Sequence, residues 1–429
     1  MRRFGSLARY SCAFALVIAV GTMSIVYSQS PTQAPTGFET PTLENNHGSA
    51  SVSNGMTLPA GETFANAQDI FEEADGVDGS LGPVYNARGC VDCHQNPVTG
   101  GISQVTELRV GHRDVFGNFV NPTIVINNGA NSIPNRSLVN DRAICPQAQE
   151  RVPGTENIQA LRASLNVLGD GFVEAIDSNT LLAIARNQPI QSGGRIAGEF
   201  IQVPVLEAPG QIRGGRFGWK NQQASLLSFS ADAYLNEQGV SSRLQPNDIT
   251  SVCKNTADPE DQNDSTGMAD IDHFANFMRA TKAPPIDAAL MATTAAQQGK
   301  QIFSAIGCSI CHVPSITTAP AGTVINGGAF TVPAALGSRV INPYSDFLLH
   351  DVGTGDGIVQ NGPQDTANKL RTPPLWGLRT HSRLMHDLQS TTRNGAILRH
   401  GHEAAGVISN YQSLSTTQKN NLITFLNAL

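Results

Sequence analysis

The stretch Gly89–Gln95 reads G-C-V-D-C-H-Q, and the stretch Gly307–Val313 reads G-C-S-I-C-H-V. Both contain a Cys-x-x-Cys-His pentad, although the whole chain of 429 residues has only 7 Cys and 10 His. Two thiols at this spacing reach the two vinyl groups of a haem, and the adjacent imidazole meets its iron. The sequence therefore predicts two covalently attached haem c groups. The attachment residues are Cys90, Cys93, His94, Cys308, Cys311 and His312.

Two other uses of cysteine explain the pentads less well. A structural zinc site needs four protein ligands, usually with further Cys or His at short spacing. A thioredoxin-type dithiol does not need the His that follows both Cys pairs. Haem attachment accounts for all three residues in both copies.

The composition is that of an ordinary globular protein. Hydrophobic residues make up 40% and charged residues 15%, and the net charge is -7, so nothing indicates a nucleic-acid partner. A chain of this length suits two domains of usual size.

The first residues have the order of a secretory signal. Arginines come first, followed by the apolar run Ala13–Val20 and the small, polar stretch Gly21–Ser30. The apolar run is much shorter than the roughly 20 residues that cross a bilayer. We therefore predict a signal peptide over residues 1–28, a flexible leader over 29–63, and no membrane span after cleavage. Because bacteria attach haem c outside the cytoplasm, the predicted location is the periplasm.

Two further cysteines, Cys145 and Cys253, remain in the mature chain. An oxidising compartment favours a disulfide between them. Two separate buried thiols are the alternative, because the sequence does not give their distance.

The chain contains an internal repeat. The pattern A-x-G-C-x-x-C-H occurs at Ala87–His94 and at Ala305–His312, with an Ile-Phe pair ahead of each copy. Downstream of each pentad, L-R-A-S-L-N-V-L-G and L-R-T-P-P-L-W-G place Arg162 and Arg371 in matching positions. The repeat predicts an N-terminal haem domain over 64–285 and a C-terminal haem domain over 286–429.

Apolar residues at helical spacing, together with a capping box at Ser415, predict several helices. They cover Ala65–Glu73, Gly171–Asn187, Ala269–Thr281, Ile286–Ala305 and the C-terminal residues from Ser415. Gly- and Asn-rich stretches such as 117–136 and 317–344 read as surface loops with little strand. The predicted fold class is mainly α, with two cytochrome c-type domains packed together and long irregular loops.

From about Phe64 to Leu429 the chain resembles the bacterial di-haem cytochrome c peroxidase superfamily, and most closely its di-haem oxidoreductase branch. The resemblance rests on G-C-S-I-C-H-V-P-S, Y-S-D-F-L-L-H-D, L-R-T-P-P-L-W-G-L-R, L-M-H-D and A-I-L-R-H-G-H-E-A. It implies an enzyme whose N-terminal haem reacts with peroxide. The C-terminal haem would supply electrons from an external donor such as a small cytochrome or a copper protein.

The resemblance implies roles for three residues near the N-terminal haem. Trp219 would lie between the haems, and Glu237 would be the acidic residue over the reactive iron, where Phe229 replaces the family's pocket glutamine. His112 would bind the iron in the resting enzyme. Plain alternatives stay open: core packing for Trp219, a solvated carboxylate for Glu237 and a loop histidine for His112.

At the C-terminal haem the chain departs from the peroxidases. His400 stands where they have a methionine ligand, which predicts bis-His coordination and a lower potential. His402, two residues further on, is a competing ligand. The related rubber-cleaving di-haem oxygenases share bis-His coordination, so oxygen chemistry is the alternative function, and a purely electron-transferring cytochrome is another.

Two further expectations concern charges. Arg162 and Arg371 would pair with haem propionates, with surface ion pairing as the alternative. The peroxidases commonly hold calcium between their domains, but the sequence has no D-x-[DN]-x-[DN]-G motif to support it. His350 and His386 match family phrases without an assigned role.

Overall fold

Each pentad forms the same tight turn in the computed structural model. Cys90–Asp92 and Cys308–Ile310 are single turns of 3-10 helix. The amide of His94 donates a hydrogen bond to the carbonyl of Cys90 at 3.0 Å, and the amide of His312 donates to Cys308 at 3.0 Å. The equal turns agree with the internal repeat.

The structure describes residues 1, 30–38, 53–77, 81–126, 132–254 and 256–429. Residues 31–429 form one compact unit. The predicted signal peptide lies outside the described residues, apart from Met1, and so do residue 29 and residues 39–52 of the predicted leader. The predicted boundary between two haem domains at residue 285 stays a prediction. No described helix is long and apolar enough to cross a membrane.

The α-helices of the described residues are α1 (Phe64–Glu72), α2 (Asp170–Glu174), α3 (Ser178–Ser192), α4 (Leu226–Ala233), α5 (Asp270–Ala280), α6 (Ala288–Met291), α7 (Thr294–Ala305), α8 (Arg393–Leu398), α9 (Ala405–Ser413) and α10 (Thr416–Ala428). A short π-helix, Tyr234–Gln238, continues α4.

The strongest helix predictions are confirmed, and two others are each split in two. The predictions for Ala65–Glu73 and Ala269–Thr281 correspond to α1 and α5. The prediction over Gly171–Asn187 is α2 and α3, because the Asp177 side chain caps a new helix there. Likewise Thr293 caps α7 and separates it from α6.

The C-terminal helix has the predicted capping box. The Ser415 hydroxyl accepts a hydrogen bond from the Gln418 amide at 3.3 Å, and the Gln418 side chain accepts one from the Ser415 amide at 2.9 Å. The predicted apolar stripe is buried, and it consists of Leu422, Phe425, Leu426 and Leu429.

The strands are mostly two to four residues long. They are β1 (Thr32–Gln33), β2 (Val84–Tyr85), β3 (Thr106–Arg113), β4 (Phe119–Val120), β5 (Thr123–Ile126), β6 (Ser132–Pro134), β7 (Leu138–Val139), β8 (Arg142–Ala143), β9 (Glu150–Arg151), β10 (Ile158–Ala163), β11 (Gln202–Pro204), β12 (Ile212–Gly214), β13 (Ile316–Thr317), β14 (Val324–Ile325), β15 (Phe330–Thr331), β16 (Arg339–Ile341), β17 (Leu349–His350) and β18 (Leu370–Arg371).

These strands form several small sheets. The largest has the order β10-β3-β4, with β7 also paired to β3, and β3 and β10 run antiparallel with Glu107 opposite Arg162. Three-stranded sheets have the orders β1-β16-β13 and β6-β5-β9. The remaining strands pair two by two as β2-β8, β11-β12, β14-β15 and β17-β18.

The predicted mainly-α class is wrong. About 30% of the residues are helical and 18% are in strands, spread over many small sheets. The stretches 117–136 and 317–344, interpreted as loops, contain β4 to β6 and β14 to β16. Strands of two or three residues show no alternation of apolar and polar residues, and they depend on partners that are distant in the sequence.

Each pentad is backed by a pair of packed helices. Helix α1 packs on α5, where the Phe71 and Phe277 rings lie 4.6 Å apart, and α7 packs on α10, where the Phe303 and Phe425 rings lie 5.4 Å apart. A β-carbon on Gly299 would overlap the backbone of α10, so this close crossing requires glycine. Helices therefore support both turns.

The predicted disulfide is confirmed. Cys145 and Cys253 are bonded across a sequence separation of 108 residues, with their Cα atoms 6.5 Å apart. Because the link closes a long loop, it restricts the unfolded chain more than a short link would.

We expect the Cys145→Ser/Cys253→Ser double variant to lose up to about 4 to 5 kcal/mol of unfolding free energy, the entropy of closing so long a loop. Chemical denaturation of both proteins measures this difference. Alkylation of the unreduced, denatured wild type is the control. If it labels Cys145 and Cys253, the bond does not form in solution.

Candidate functional site

The first pentad opens into a cavity with about 1310 Å³ of empty space. Cys90, Cys93 and His94 line it, together with side chains from strands and helices. The residues that carry charge or hydrogen-bonding groups into it include Glu107, Arg109, Arg162, Trp219, Asp232, Glu237 and Arg371. All predicted N-terminal site residues except His112 are therefore brought together.

His94 presents one free ring nitrogen. Its Nδ1 lies 3.2 Å from the carbonyl oxygen of Gly101, and the Phe71 ring packs beside it at 6.2 Å between centroids. Burial lowers the pKa of His94, so the ring is neutral at pH 7. A neutral imidazole with Nδ1 held by a carbonyl leaves Nε2 for a metal. Among the described residues that line this cavity, His94 is the only histidine.

Two carboxyl groups face each other in the first cavity. Those of Glu107 and Glu237 lie within hydrogen-bonding reach of each other. Burial and then the nearby charge of Glu107 raise the pKa of Glu237. Burial opposes ionisation of Glu107, but the guanidinium group of Arg109 more than compensates and lowers the pKa of Glu107. The pair thus has one carboxyl group suited to holding a proton and one suited to remaining ionised.

The second pentad opens into a cavity with about 1750 Å³ of empty space. Here the ring of His312 has its Nδ1 2.9 Å from the carbonyl oxygen of Tyr344, and Phe303 packs beside it at 6.2 Å, as Phe71 does beside His94. Burial and then nearby His400 lower the pKa of His312 to about 4. His312 is therefore neutral and has Nε2 available.

His400 lines the same cavity, from the turn after α8. Its Nδ1 lies 2.9 Å from the carbonyl oxygen of Ala396, so Nε2 is again free, and burial lowers its pKa. The competing His402 is different: its side chain is 65% exposed and pairs with Asp351 at 2.9 Å. The geometry thus favours His400 over His402 as a second ligand.

His112 is not brought to the first cavity. It lies on β3, where its Nδ1 contacts a carboxylate oxygen of Glu156 at 2.8 Å. Side chains alternate between the two faces of a strand. Because Glu107 and Arg109 line the cavity, His112 lies on the opposite face of β3.

Trp219 belongs to the wall between the two cavities. It lines both of them, as Arg371 does. The indole N–H donates to the carbonyl of Ala163 at 2.8 Å, and the Arg371 amide donates to the carbonyl of Trp219 at 2.7 Å. The His386 ring packs edge-on against the indole at 6.0 Å. The indole is therefore fixed at the boundary.

Buried polar atoms without a partner among the described residues lie at both cavities. They are Nη2 of Arg162, Oγ1 of Thr354, Nδ1 of His386 and Nε of Arg393. An unpaired buried donor is costly. The two propionates of a haem are ligands that would satisfy such donors. Together with two cysteines and a histidine at each cavity, these atoms fit a haem at each site.

Arg162 is fixed by residues from the C-terminal half of the chain. Its Nε donates to Asp356 at 2.6 Å, and Lys220 pairs with the same carboxylate at 3.1 Å. All three side chains are 1% exposed, so the surface ion pair considered for Arg162 is excluded. Arg371 is also buried and donates from Nε to the carbonyl of Gly218 at 2.9 Å.

His350 is excluded as a further iron ligand by its own hydrogen bonds. Its Nδ1 lies 2.9 Å from Glu403 and its Nε2 lies 2.8 Å from Asp346. Burial disfavours the charged ring, but Asp346 raises the pKa of His350 well above the usual value. His350 is thus a buried cation between two carboxylates, beside the sulfur of Cys311.

The structure offers little to a calcium ion. Carboxylates of Asp248, Asp258 and Glu260 lie close together. The ammonium group of Lys254 already pairs with Asp248 and Asp258. Calcium therefore remains without support.

Glu107 and Arg109 are site residues that the sequence interpretation missed. The stretch T-E-L-R-V-G-H-R is a regular strand, in which Glu107 and Arg109 are two residues apart and share a face. Two charged residues on one face of a predicted strand are a pattern in the sequence that could have indicated a polar site there.

The two cavities, with their Cys-x-x-Cys-His turns and the indole between them, define a di-haem redox protein. The family model for "Di-haem oxidoreductase, putative peroxidase" matches residues 150–429. The chain therefore belongs to the di-haem oxidoreductase family, which confirms the resemblance and implies haem cofactors. The matched residues include the second pentad, Trp219, Glu237 and His400; the first pentad lies before them.

Two solved structures are similar to parts of the chain. One is described as a MauG-like protein associated with microbial copper homeostasis, with 18% identity and a TM-score of 0.25 over 37% of this chain and 52% of that one. The other is hydrazine synthase from Kuenenia stuttgartiensis, with 13% identity and a TM-score of 0.34 over 89% of this chain and 98% of that one. The chain thus spans about half of the first. A comparison with curated protein sequences finds no match.

We expect His400→Gly to convert one low-spin haem to high-spin and to leave the other unchanged, because it would remove a nitrogen ligand of the haem iron. Optical and electron paramagnetic resonance spectra of the haem-loaded protein measure this. His402→Gly is the matched control and should have no effect. An unaltered His400→Gly spectrum would assign the ligand to another residue of the second cavity.

Proposed function

We propose that the protein is an exported di-haem c-type oxidoreductase that reduces hydrogen peroxide at the N-terminal haem. Electrons would reach that haem from the C-terminal haem, which His312 and His400 would coordinate as a bis-His pair. Family membership makes the chain an oxidoreductase; the substrate, the covalent attachment and the direction of electron flow are the proposal. An external donor such as a small cytochrome or copper protein would supply electrons to the C-terminal haem.

The observation that carries the proposal is the difference between the cavities. The first is lined by one histidine and by the contacting carboxyl groups of Glu107 and Glu237, whereas the second is lined by five histidines, of which His312 and His400 each have Nδ1 on a backbone carbonyl and Nε2 free. An iron held by two histidines would suit electron transfer, because little would have to rearrange. An iron held by one histidine would leave room for a small oxidant. The cavities are thus suited to different tasks.

A haem bound in the first cavity would supply the redox-active iron. His94 would hold it through Nε2, with the carbonyl of Gly101 fixing the ring. Reduction of one peroxide consumes two electrons and two protons and gives two waters. Glu237 is our candidate for moving a proton between the two peroxide oxygens, because burial and Glu107 raise its pKa toward the working range.

Trp219 is our candidate for the electron path. It lines both cavities, and its N–H is held by the carbonyl of Ala163, so the ring has one orientation. Arg162 and Arg371 would bind propionates from either side of this wall. Both are buried, Arg162 on β10 and Arg371 on β18.

Export is supported by the disulfide. Bonds such as Cys145–Cys253 persist in oxidising compartments and are rare in the cytosol. The predicted signal peptide would direct the chain to the periplasm, where haem c attachment takes place.

Covalent attachment is tested by intact mass after acid denaturation. We expect the mature protein to exceed the polypeptide mass by two haem groups, because thioether bonds survive acid. Cys308→Ala/Cys311→Ala should retain one group on the first pentad. A wild-type protein with one haem or none would refute the di-haem c assignment.

We expect Glu237→Gln to slow the reaction with peroxide by about 10² to 10⁴, the usual worth of a general acid-base group. Glutamine keeps the shape but does not carry the proton. Stopped-flow mixing of the haem-loaded protein with peroxide measures the step. Glu199→Gln, which removes a carboxylate that pairs with Lys369, is the control and should react as the wild type does.

Trp219→Phe separates the two steps of the proposal. It should leave the reaction with peroxide intact and slow electron delivery from the second haem.

If wild type reacts with peroxide no faster than Glu237→Gln does, Glu237 has no role in the reaction. If neither reacts with peroxide but both consume oxygen in the presence of an added olefin, the oxygenase function replaces the peroxidase.

A further inference from the structure

We propose that Glu107 is a positioning residue that keeps one proton on the carboxyl group of Glu237, so that the two side chains work as a one-proton pair. The inference deepens the proposed function and rests on it for its catalytic meaning. It concerns a residue outside the part of the chain that matches the family model.

The ionised member of the pair is identified by its partners. Both oxygens of Glu107 accept hydrogen bonds from Arg109, at 2.8 and 3.0 Å, and Arg162 lies 4.0 Å away. Such a two-point bond to a guanidinium group requires a carboxylate. Glu107 is on β3 and opposite Arg162 on β10, so the sheet fixes this arrangement.

Glu237 is identified as the protonated member because no cation binds its carboxyl group. Oε2 of Glu237 accepts a hydrogen bond from the Asn86 amide at 2.7 Å, which is a neutral donor. Its other neighbour is the carboxylate of Glu107. Two carboxylates in contact do not both ionise at neutral pH, and the one without a cation holds the proton. The backbone carbonyl of Glu237 accepts from Asn86 and Ala87, which holds the π-helix in place.

Other charged groups near Glu237 are committed elsewhere. Arg109 donates hydrogen bonds to Glu107, and Arg136 pairs with Glu150 at 2.8 Å. From α4, half-buried Asp232 adds a further negative charge when ionised, but desolvation raises its pKa. The thiol of Cys93 also faces Glu237 and would be taken up in haem attachment. The net effect of this surrounding is to favour a neutral Glu237.

The single proton makes Glu237 begin as an acid. Glu237 would give its proton to the far oxygen of peroxide and then accept the proton that leaves the near oxygen. The pair ends with the same one proton, and Glu107 remains ionised throughout. Activity should therefore fall as pH rises through the pKa of Glu237, which lies above its usual value because burial and Glu107 both disfavour the carboxylate.

Infrared spectroscopy tests the proton without peroxide. We expect the difference spectrum between wild type and Glu237→Gln to contain the C=O band of a protonated carboxyl group at pH 7. The band should disappear only above neutral pH. Its absence from the wild type at pH 6 would overturn the inference, and this measurement does not require a Glu107 variant to fold.

Variants of Glu107 test the cause. Glu107→Gln should weaken the band at pH 7 and slow the peroxide reaction about tenfold at about pH 9, above the pKa of Glu237, because the falling limb of the pH profile moves about one unit toward acid. Glu107→Asp should restore both. Glu156→Gln, a buried glutamate bonded to His112, is the control and should change neither.

The outcomes separate the inference from the proposed function. A band that is not weakened in Glu107→Gln, or a pH profile that does not move, contradicts the role of Glu107 even if Glu237→Gln is slow. A band that behaves as expected, with a peroxide reaction unaffected by either variant, supports the pair and rejects Glu237 as the acid of the reaction.

Discussion

The hydrogen bond from the histidine amide to the carbonyl of the first cysteine is the interaction on which both sites depend. It occurs in each pentad at 3.0 Å and bends five residues so that two sulfurs and one imidazole face one cavity. A phenylalanine from the preceding helix packs beside each imidazole, with 6.2 Å between the two ring centroids in both cases. The paired helices α1 with α5 and α7 with α10 give these turns a rigid support.

Once the turns are fixed, the cavities differ by their other walls. A neutral imidazole with Nδ1 bound to a carbonyl is available as a metal ligand, and the second cavity has two such rings where the first has one. The first cavity instead receives carboxyl groups. Trp219 and Arg371 line both cavities and form the wall that they share.

Many of the chemically important side chains come from strands between the helices. Glu107 and Arg109 are on β3, Arg162 is on β10 and Arg371 is on β18. A buried charge is expensive unless it is paired. The bond between Arg162 and Asp356 meets that requirement and also connects the first cavity to the C-terminal half of the chain. The contact with Asp356 thus both orients Arg162 toward the first cavity and stabilises the fold.

The sequence by itself determined the two attachment turns, the helices with clear caps and apolar stripes, and the repeat, because these depend on residues close together in the chain. It did not determine the short strands, whose pairing partners lie far away. Only the tertiary structure decided that His400 faces the second cavity while His402 is exposed, and that His112 lies on the face of β3 opposite Glu107. A shift of one or two residues changes which side of a strand or turn is buried, and that choice is made by packing.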